Sequence, residues 1–490
     1  MNHSTTRKQI QKRLQENSGA ESLLQASMSW MEPLYDPVQG LLRYPQNPEQ
    51  HMVRESLWFA FGLVLQVRFF ARNESDLIQA ENIAQQVLAN QYDVPGEVWH
   101  GTFKRAPQEP DPPAPAVMWK DYDPNWRQFI GTVLLLWRKL EGDLMPASLQ
   151  AAIDSALKKC IEGEPVNRVP VTYTNIALMK AWLEVECGEL IDDQGRRGAL
   201  EYADDIAQRF SQHNAFQEYN SPTYYGINFF ALGLWQNFSA DLSSMGRRMS
   251  VALWEDVARY YHADMKNLCG PWSRSYGMDM QQYVAALGLW IWAATNRNTA
   301  PLPESTDNLQ HAHDFCLGPI AAFSATLLPD GVTNCLNGFH GERHIQQQIS
   351  DEPHRSVEAY LSKDIMLGLE SSSISFHGTD QYHPFTIHWL DEHGQVHWCR
   401  MRFKGRVEGE LGQRSVTLRM AADEGVNTAS LEFSDAIQLN HHTLHIHGLA
   451  LVFDTDCHLS ADLDNLTIEL NRSASTQILS FSYELEGQFT

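Results

Sequence analysis

The sequence predicts an α+β protein in two parts, an N-terminal α/α toroid over residues 1–300 and an antiparallel β-sandwich over residues 310–490. Three observations carry this. Twelve of the 14 tryptophans lie before residue 300, in long apolar or amphipathic blocks, whereas 15 of the 20 histidines lie after it, among short alternating segments. The hydrophobic period changes from helical to two at the same place. Between the parts, Ala300-Pro301-Leu302-Pro303-Glu304-Ser305-Thr306 suits a linker, because its prolines remove backbone donors and bias the preceding residues towards extended conformations.

In the first part, apolar blocks recur at Leu57 to Val67, Phe129 to Trp137, Ile176 to Leu183, Ile227 to Trp235 and Tyr283 to Trp292, and the string Ala-Leu-Gly-Leu-Trp occurs at both 231–235 and 286–290. One-sided helices separate them; in 247–264, Trp254, Val257, Ala258 and Tyr261 share a face. Alternation of fully and half-buried helices is what a ring of helical hairpins requires, with inner helices covered on both sides. In the second part Val416, Leu418 and Met420 alternate with polar neighbours, as do Leu466, Ile468 and Leu470, and Leu479, Phe481, Tyr483 and Leu485. These are strands with one wet face, separated by turns such as Pro329-Asp330-Gly331 and Glu392-His393-Gly394.

Composition narrows the function. The 490 residues carry 60 acidic against 37 basic side chains, a net charge of −23, and 43% are hydrophobic, so the chain is globular and its field repels nucleic acid. The N-terminal stretch has no apolar core of signal-peptide type and no stretch reaches membrane-spanning length, so the expectation is a cytoplasmic protein without membrane association. Seven scattered cysteines without any CxxC read as free thiols. No dinucleotide-binding or phosphate-binding glycine motif, HExxH or GxSxG is present, and no cofactor is expected.

Candidate chemistry sits just before the apolar helices. The clusters are Asp121-Tyr122-Asp123-Pro124-Asn125-Trp126-Arg127, Tyr173-Thr174-Asn175, Glu218 to Tyr225, and Trp272-Ser273-Arg274-Ser275-Tyr276. In a toroid the inner helices run the same way, so these four clusters would line one mouth. Tyr and Trp offer flat faces to sugar rings, Asn and Arg donate to carboxylates, and helix N-termini favour anions. Capping accounts for part of the pattern, since Asp123-Pro124 and Ser221-Pro222 read as a cap followed by an N1 proline, but not for the recurrent Arg and Tyr.

In architecture and in these residue types the chain resembles the α/α-toroid polysaccharide lyases with a C-terminal β-sandwich, the heparinase-like and alginate-lyase-like enzymes. The resemblance implies β-elimination on a uronate-containing oligo- or polysaccharide, with Asn or Arg neutralising the carboxylate and Tyr moving the proton. No Asn-Asn-His string accompanies it. On that reading Asn220, Tyr224, Tyr225, Arg274, Tyr276 and a loop residue, His340, are the catalytic candidates, and Asn125, Trp126, Arg127, Tyr173, Asn175 and Trp272 the substrate-binding ones. A tyrosine serves as the base only if a nearby cation such as Arg274 or Arg127 lowers its pKa from about 10.

Two other readings fit the same residues: a glycoside hydrolase using two carboxylates among Asp121, Asp123, Glu218 and Asp279, and a non-catalytic sugar-binding or scaffold protein. In the second part, His445 and His447 share a strand face downstream of His441 and His442, but no Cys or carboxylate stands beside them at ligand spacing, so no metal is expected. His340 lies in the glycine-flanked loop Asn337 to His344, a placement typical of functional loops. The proline-rich insertion Asp93 to Lys120 reads either as a cleft cap or as a surface strap.

Overall fold

The structure is a computed structural model that describes residues 14, 17–70, 72–188, 193–304, 309, 311–325, 328–375, 381–471 and 476–485. Ser305 and Thr306 of the expected linker lie outside the described residues, as does most of the N-terminal stretch. The chain is α+β, with helices dominating its first part and antiparallel sheets its last. By contact it divides into two units that share the chain discontinuously. The first comprises Met1–Arg209, Tyr225–Val251 and Tyr283–Leu328; the second comprises Phe210–Tyr224, Ala252–Gln282 and Pro329–Thr490.

The first unit is mainly helical, with a three-stranded antiparallel sheet of Tyr35–Asp36, Leu41–Tyr44 and Asn47–Met52. Its helices are α1 (Ser18–Met31), α2 (Val53–Phe70), α3 (Ser75–Ala89), α4 (Trp126–Glu141), α5 (Ala147–Glu162), α6 (Thr174–Glu186), most of α7 (Asp193–His213), α8 (Tyr225–Phe238), the start of α9 (Ser243–Tyr260), α10 (Ala286–Ala294) and α11 (Gly318–Ser324). The burial patterns follow the sequence. Every residue of α10 from Ala286 to Ala293 is buried, whereas α5 buries only Leu149, Ile153, Ala156, Leu157 and Cys160, one stripe at spacings of three and four. The apolar helices pack in succession: α2 on α4, α4 on α6, α6 on α8, α8 on α10, α10 on α11, and α11 back on α2. Outer helices cover them, α3 on α2 and α5 on α4. Gly226 permits the close approach of α8 to α10, since a Cβ there would lie 2.5 Å from the Ala286 carbonyl carbon.

The Ala300–Pro303 stretch is not where the chain divides, in contrast to the expected 1–300 and 310–490 domains. Ala300 and Leu302 are buried, and the Pro301 carbonyl lies 2.7 Å from where a Gly288 Cβ would stand, so the stretch packs on α10 and the first unit runs on to Leu328. Proline made this segment extended without making it free.

Among the described residues the second unit holds a short two-stranded sheet, Tyr261–His262 with Asn267–Leu268, and two large antiparallel sheets. One has eight strands in the order His458–Asp462, Asn465–Glu469, Thr428–Phe433, Val396–Arg402, Phe385–Leu390, Ile365–Ser372, Arg355–Leu361 and Arg343–Ser350. The other has six, in the order Gly405–Leu411, Ser415–Ala422, Gln477–Leu485, Leu449–Asp454, Thr443–Ile446 and Gln438–Asn440. Leu367, Phe385, Ile387, Trp389, Cys399 and Leu431 of the first share one apolar cluster with Val416, Leu418, Met420, Leu451, Leu479 and Phe481 of the second. Most of the expected inward-facing residues are buried, and alternation holds along Arg355–Leu361, Val396–Arg402 and Ser415–Ala422, whereas Ile365–Ser372 and Phe385–Leu390 are buried almost throughout. Segments 210–224 and 252–282 belong to this unit and carry part of the candidate site. All seven cysteines are free. Among the described residues no helix is long and apolar enough to cross a membrane.

Candidate functional site

In the second unit the Glu218–Tyr224 and Trp272–Tyr276 segments lie side by side. Backbone bonds couple Ser273 to Tyr219 (3.1 Å) and Ser275 to Gln381 (2.8 Å), and the Ser221 hydroxyl donates to the Arg274 carbonyl (2.5 Å) while capping the Tyr224 N–H (3.1 Å). The coupling brings three predicted residues together. Arg274 Nη2 donates to the Tyr224 hydroxyl at 2.7 Å, and that oxygen lies 2.7 Å from the Tyr276 hydroxyl. The guanidinium also lies 4.0 Å from the centre of the Tyr224 ring, pairs through Nη1 with Glu218 at 2.6 Å, and donates through Nε to Gln381 at 3.0 Å. The result is a carboxylate, a guanidinium and two phenols in one hydrogen-bonded row, with Tyr224, Arg274 and Tyr276 keeping part of their surface in solvent.

The electrostatics differ from the expectation that a cation would lower the tyrosine pKa. Burial, reinforced by Tyr276, pushes the Tyr224 phenol well above its usual range, and Arg274 opposes this without overcoming it. The Arg274 charge is already matched by Glu218, which blunts its effect.

In the first unit a second polar group forms at the entrances of α4 and α6. Asn125 Nδ2 donates to the Tyr173 hydroxyl (2.8 Å), and its Oδ1 accepts from Arg168 (2.8 Å). Arg168 is paired through two nitrogens with Glu164 at 2.5 and 2.8 Å, and Gln128 bridges to both. Beside it, Arg54 lies over three rings, 4.6 Å from Trp58 and 5.1 Å from both Trp126 and Phe129, while pairing with Glu55 at 2.6 Å. Burial pushes the Asp123 carboxyl up, against the Asn125 N–H and the nearby Arg54, Arg105 and Arg168. Arg54 and Arg168 were missed in the sequence. Arg168 announces itself only by its spacing of four from Glu164, which is the spacing of an ordinary surface pair.

Several candidates are turned into the protein instead. Arg127 is fully buried and donates to the carbonyls of His100 (2.6 and 3.0 Å), Val98 (2.8 Å) and Pro124 (3.2 Å), tying down the proline-rich insertion as a strap. Asn220, 1% exposed in a left-handed conformation, donates to the carbonyls of Cys269 (2.7 Å) and Pro271 (2.9 Å). Tyr225 and Asn175 are buried in their helices, and Trp272 is enclosed beside the rings of His383 and His388. His340 is exposed and its Nε2–H donates to the Asn334 carbonyl at 2.9 Å. Of the carboxylates, Asp121 accepts from the Val117 N–H at 2.8 Å, and burial pushes Asp279 up to about 6.

A family model decides the kinship. The chain belongs to the DUF8769 family, a domain of unknown function, whose model matches residues 21–326. No curated protein matches the sequence. The DUF8769 match ends close to Leu328, where the first unit ends, and spans both polar groups, from Asp123 to Tyr276. The residues that brace Arg274 from the C-terminal sheet, Gln381 among them, lie beyond it.

Proposed function

We propose that this DUF8769 protein is a carbohydrate-active enzyme, a lyase that cleaves an acidic, uronate-containing oligo- or polysaccharide by β-elimination. The observation that carries the proposal is the Tyr224 hydroxyl, set 2.7 Å from both an arginine donor and a second tyrosine hydroxyl. In the reaction the two hydroxyls work as a relay: Tyr224 passes its own proton to Tyr276 as its oxygen accepts the C5 proton, and Tyr276 gives its proton to the leaving oxygen as the C4–O bond breaks and the C4–C5 double bond forms. Arg274 stabilises the transient phenolate. The raised Tyr224 pKa keeps the phenol protonated in the free protein, which suits the donating half of the cycle. Architecture supports this reading: helices packed in the succession α2, α4, α6, α8, α10, α11 and back to α2 are what an α/α toroid would give, and two sheets sharing one core what a β-sandwich would give. Seven free cysteines suit a reducing compartment, and imported oligosaccharides would then be the substrates.

Incubation with uronate-containing oligosaccharides, read by the ultraviolet absorbance of the new conjugated double bond, tests the proposal. Tyr224→Phe and Tyr276→Phe should each lower turnover by about 10²-fold or more, while Tyr225→Phe, buried in α8, should leave it within a few-fold. Near-parental turnover in both folded variants would overturn the assignment. One observation favours a second reading: the raised pKa of Asp123 beside the aromatic group at Arg54 is that of a general acid in a glycoside hydrolase. Reducing-end release without the absorbing product, abolished by Asp123→Asn, would select it.

A further inference from the structure

We propose that the C-terminal sheets carry a divalent-metal site, of zinc type, made by His397, Asp435 and His447. One ligand atom from each lies within 4.8 Å of the others. His397 Nδ1 is 2.9 Å from Asp435 Oδ2, and His447 Nε2 is 3.8 Å from the same oxygen. These separations bracket the edge of about 3.3 Å of a tetrahedron with metal–ligand bonds of about 2.0 Å; because the two rings stack at 11° and an imidazole lone pair lies in its ring plane, the exposed His447 ring turns to aim Nε2 at the ion. Two imidazoles and one carboxylate, with a fourth position left to water, is an ordinary zinc donor set.

The surroundings are organised as metal sites are. The other nitrogen of His397, Nε2, faces Asp391 Oδ2 at 3.3 Å, an arrangement that fixes the ring and directs Nδ1 towards Asp435. His447 is held from its backbone, whose carbonyl accepts from Trp389 Nε1 at 3.1 Å, and its ring stacks on that of His397 at 4.3 Å. His397 is 1% exposed, whereas the side chains of Asp435 and His447 are 38% and 47% exposed, so the site has a buried wall and an open entrance. The only other group of this kind among the described residues, His311, His313 and Asp314, lies within the field of Arg54, and a guanidinium there competes with any cation.

The placement gives the ion a task. His397 belongs to the eight-stranded sheet, in Val396–Arg402, and Asp435 follows the strand Thr428–Phe433 of that sheet. His447 lies in the turn between Thr443–Ile446 and Leu449–Asp454 of the six-stranded sheet. A metal bound here clips the two sheets together at one end, which is a structural role independent of the lyase chemistry.

The test is titration of the chelator-stripped full-length protein with zinc chloride, followed by native mass spectrometry and calorimetry, and with cobalt, whose visible absorption reports tetrahedral coordination. The expected result is one ion per chain, a rise in melting temperature on zinc addition, and binding at least about tenfold weaker in His447→Ala and in Asp435→Asn. His458→Ala, an exposed histidine paired with Glu469, should bind as the parent does. Both ligand variants lie at the surface end of the site, and circular dichroism checks that each is folded; His447→Gln provides a milder replacement. No stoichiometric uptake, or uptake equal in parent and folded variants, overturns the proposal.

Discussion

Replacing Arg355 by methionine should weaken the sheet that backs the tyrosine pair far more than a typical core substitution. Arg355 is 0% exposed and its partner Glu370 1%. Two bonds join them, Nε to Oε1 at 2.7 Å and Nη2 to Oε2 at 3.0 Å. The remaining donors reach the Gln217 carbonyl (2.8 Å) and the Ser273 hydroxyl (2.9 Å), which directly precede Glu218 and Arg274. Methionine matches the length and apolar volume but leaves the Glu370 carboxylate without its cation beside the half-buried Tyr382, with the Gln217 carbonyl unserved. Breaking a buried pair from one side costs about 3–5 kcal/mol, equivalent to amide exchange faster by roughly 10²- to 10⁴-fold where exchange follows global opening of the sheet. Glu370→Leu should cost a similar amount, and the double variant much less than the sum, because neither charge is then left alone. Hydrogen-exchange mass spectrometry on peptides covering Arg355–Leu361 and Ile365–Ser372 reads this. A loss below about 1 kcal/mol in Arg355→Met, or simple additivity in the double variant, would show that the pair does not hold these segments.

Further outcomes follow from single side chains. Asp279, 6% exposed and pushed up to about 6 by burial, binds its proton more tightly folded than unfolded, so its stability contribution is complete below about pH 4 and lost as pH rises through about 6. Asp279→Asn should therefore be more stable than the parent at pH 7, by up to about 3 kcal/mol, with the gain vanishing at pH 4; denaturation at the two pH values checks it. Arg127→Met removes four bonds to buried or half-buried carbonyls and should expose the 93–120 strap to limited proteolysis much faster than the parent, with the strap cut before the helices. Gly101→Ala should destabilise the same region, since φ is +76° and a Cβ would meet the Lys159 carbonyl oxygen at 2.0 Å.

Periodicity made the helices and strands legible because it is a local signal, carried by the side chains an element buries. The apolar blocks at Ile227 to Trp235 and, from Ala286 on, Tyr283 to Trp292 become wholly buried helical faces, and Leu479, Phe481 and Tyr483 become one sheet's inner face. The boundary was not legible in the same way. Ala300 to Pro303 has linker composition, but whether a proline-rich stretch swings free or packs depends on what lies opposite, here α10 through Gly288. The group of His397, Asp435 and His447 shows the same limit. The sequence reading sought a carboxylate next to His445 and His447, whereas Asp435 and Asp391 reach His397 by strand pairing and turns.

The candidate residues divide by what their donors meet, and residue type is silent on that. Asn220 and Arg274 both stand in the paired 210–224 and 252–282 segments of the second unit. The amide of Asn220 finds two backbone carbonyls, those of Cys269 and Pro271, so it holds a turn. Arg274 meets side chains on all three of its nitrogens, Glu218, Gln381 and Tyr224, and these sit where solvent reaches the guanidinium. A donor that satisfies backbone acceptors inside the protein has nothing left for a substrate, whereas a row of side chains ending in two phenols can exchange a proton with one. Because Gln381, Arg355 and Glu370 hold that row from beyond residue 326, the C-terminal sheets belong to the construction of the site and are not an appendage to the DUF8769 domain. A variant that loosens them, such as Gln381→Ala, should lower turnover at the tyrosine pair by roughly tenfold while leaving the helical unit's unfolding unchanged, since one charge-assisted bond is worth about 1.5–3 kcal/mol and this one is partly exposed. Unchanged turnover in that variant would mean that Glu218 alone fixes the guanidinium.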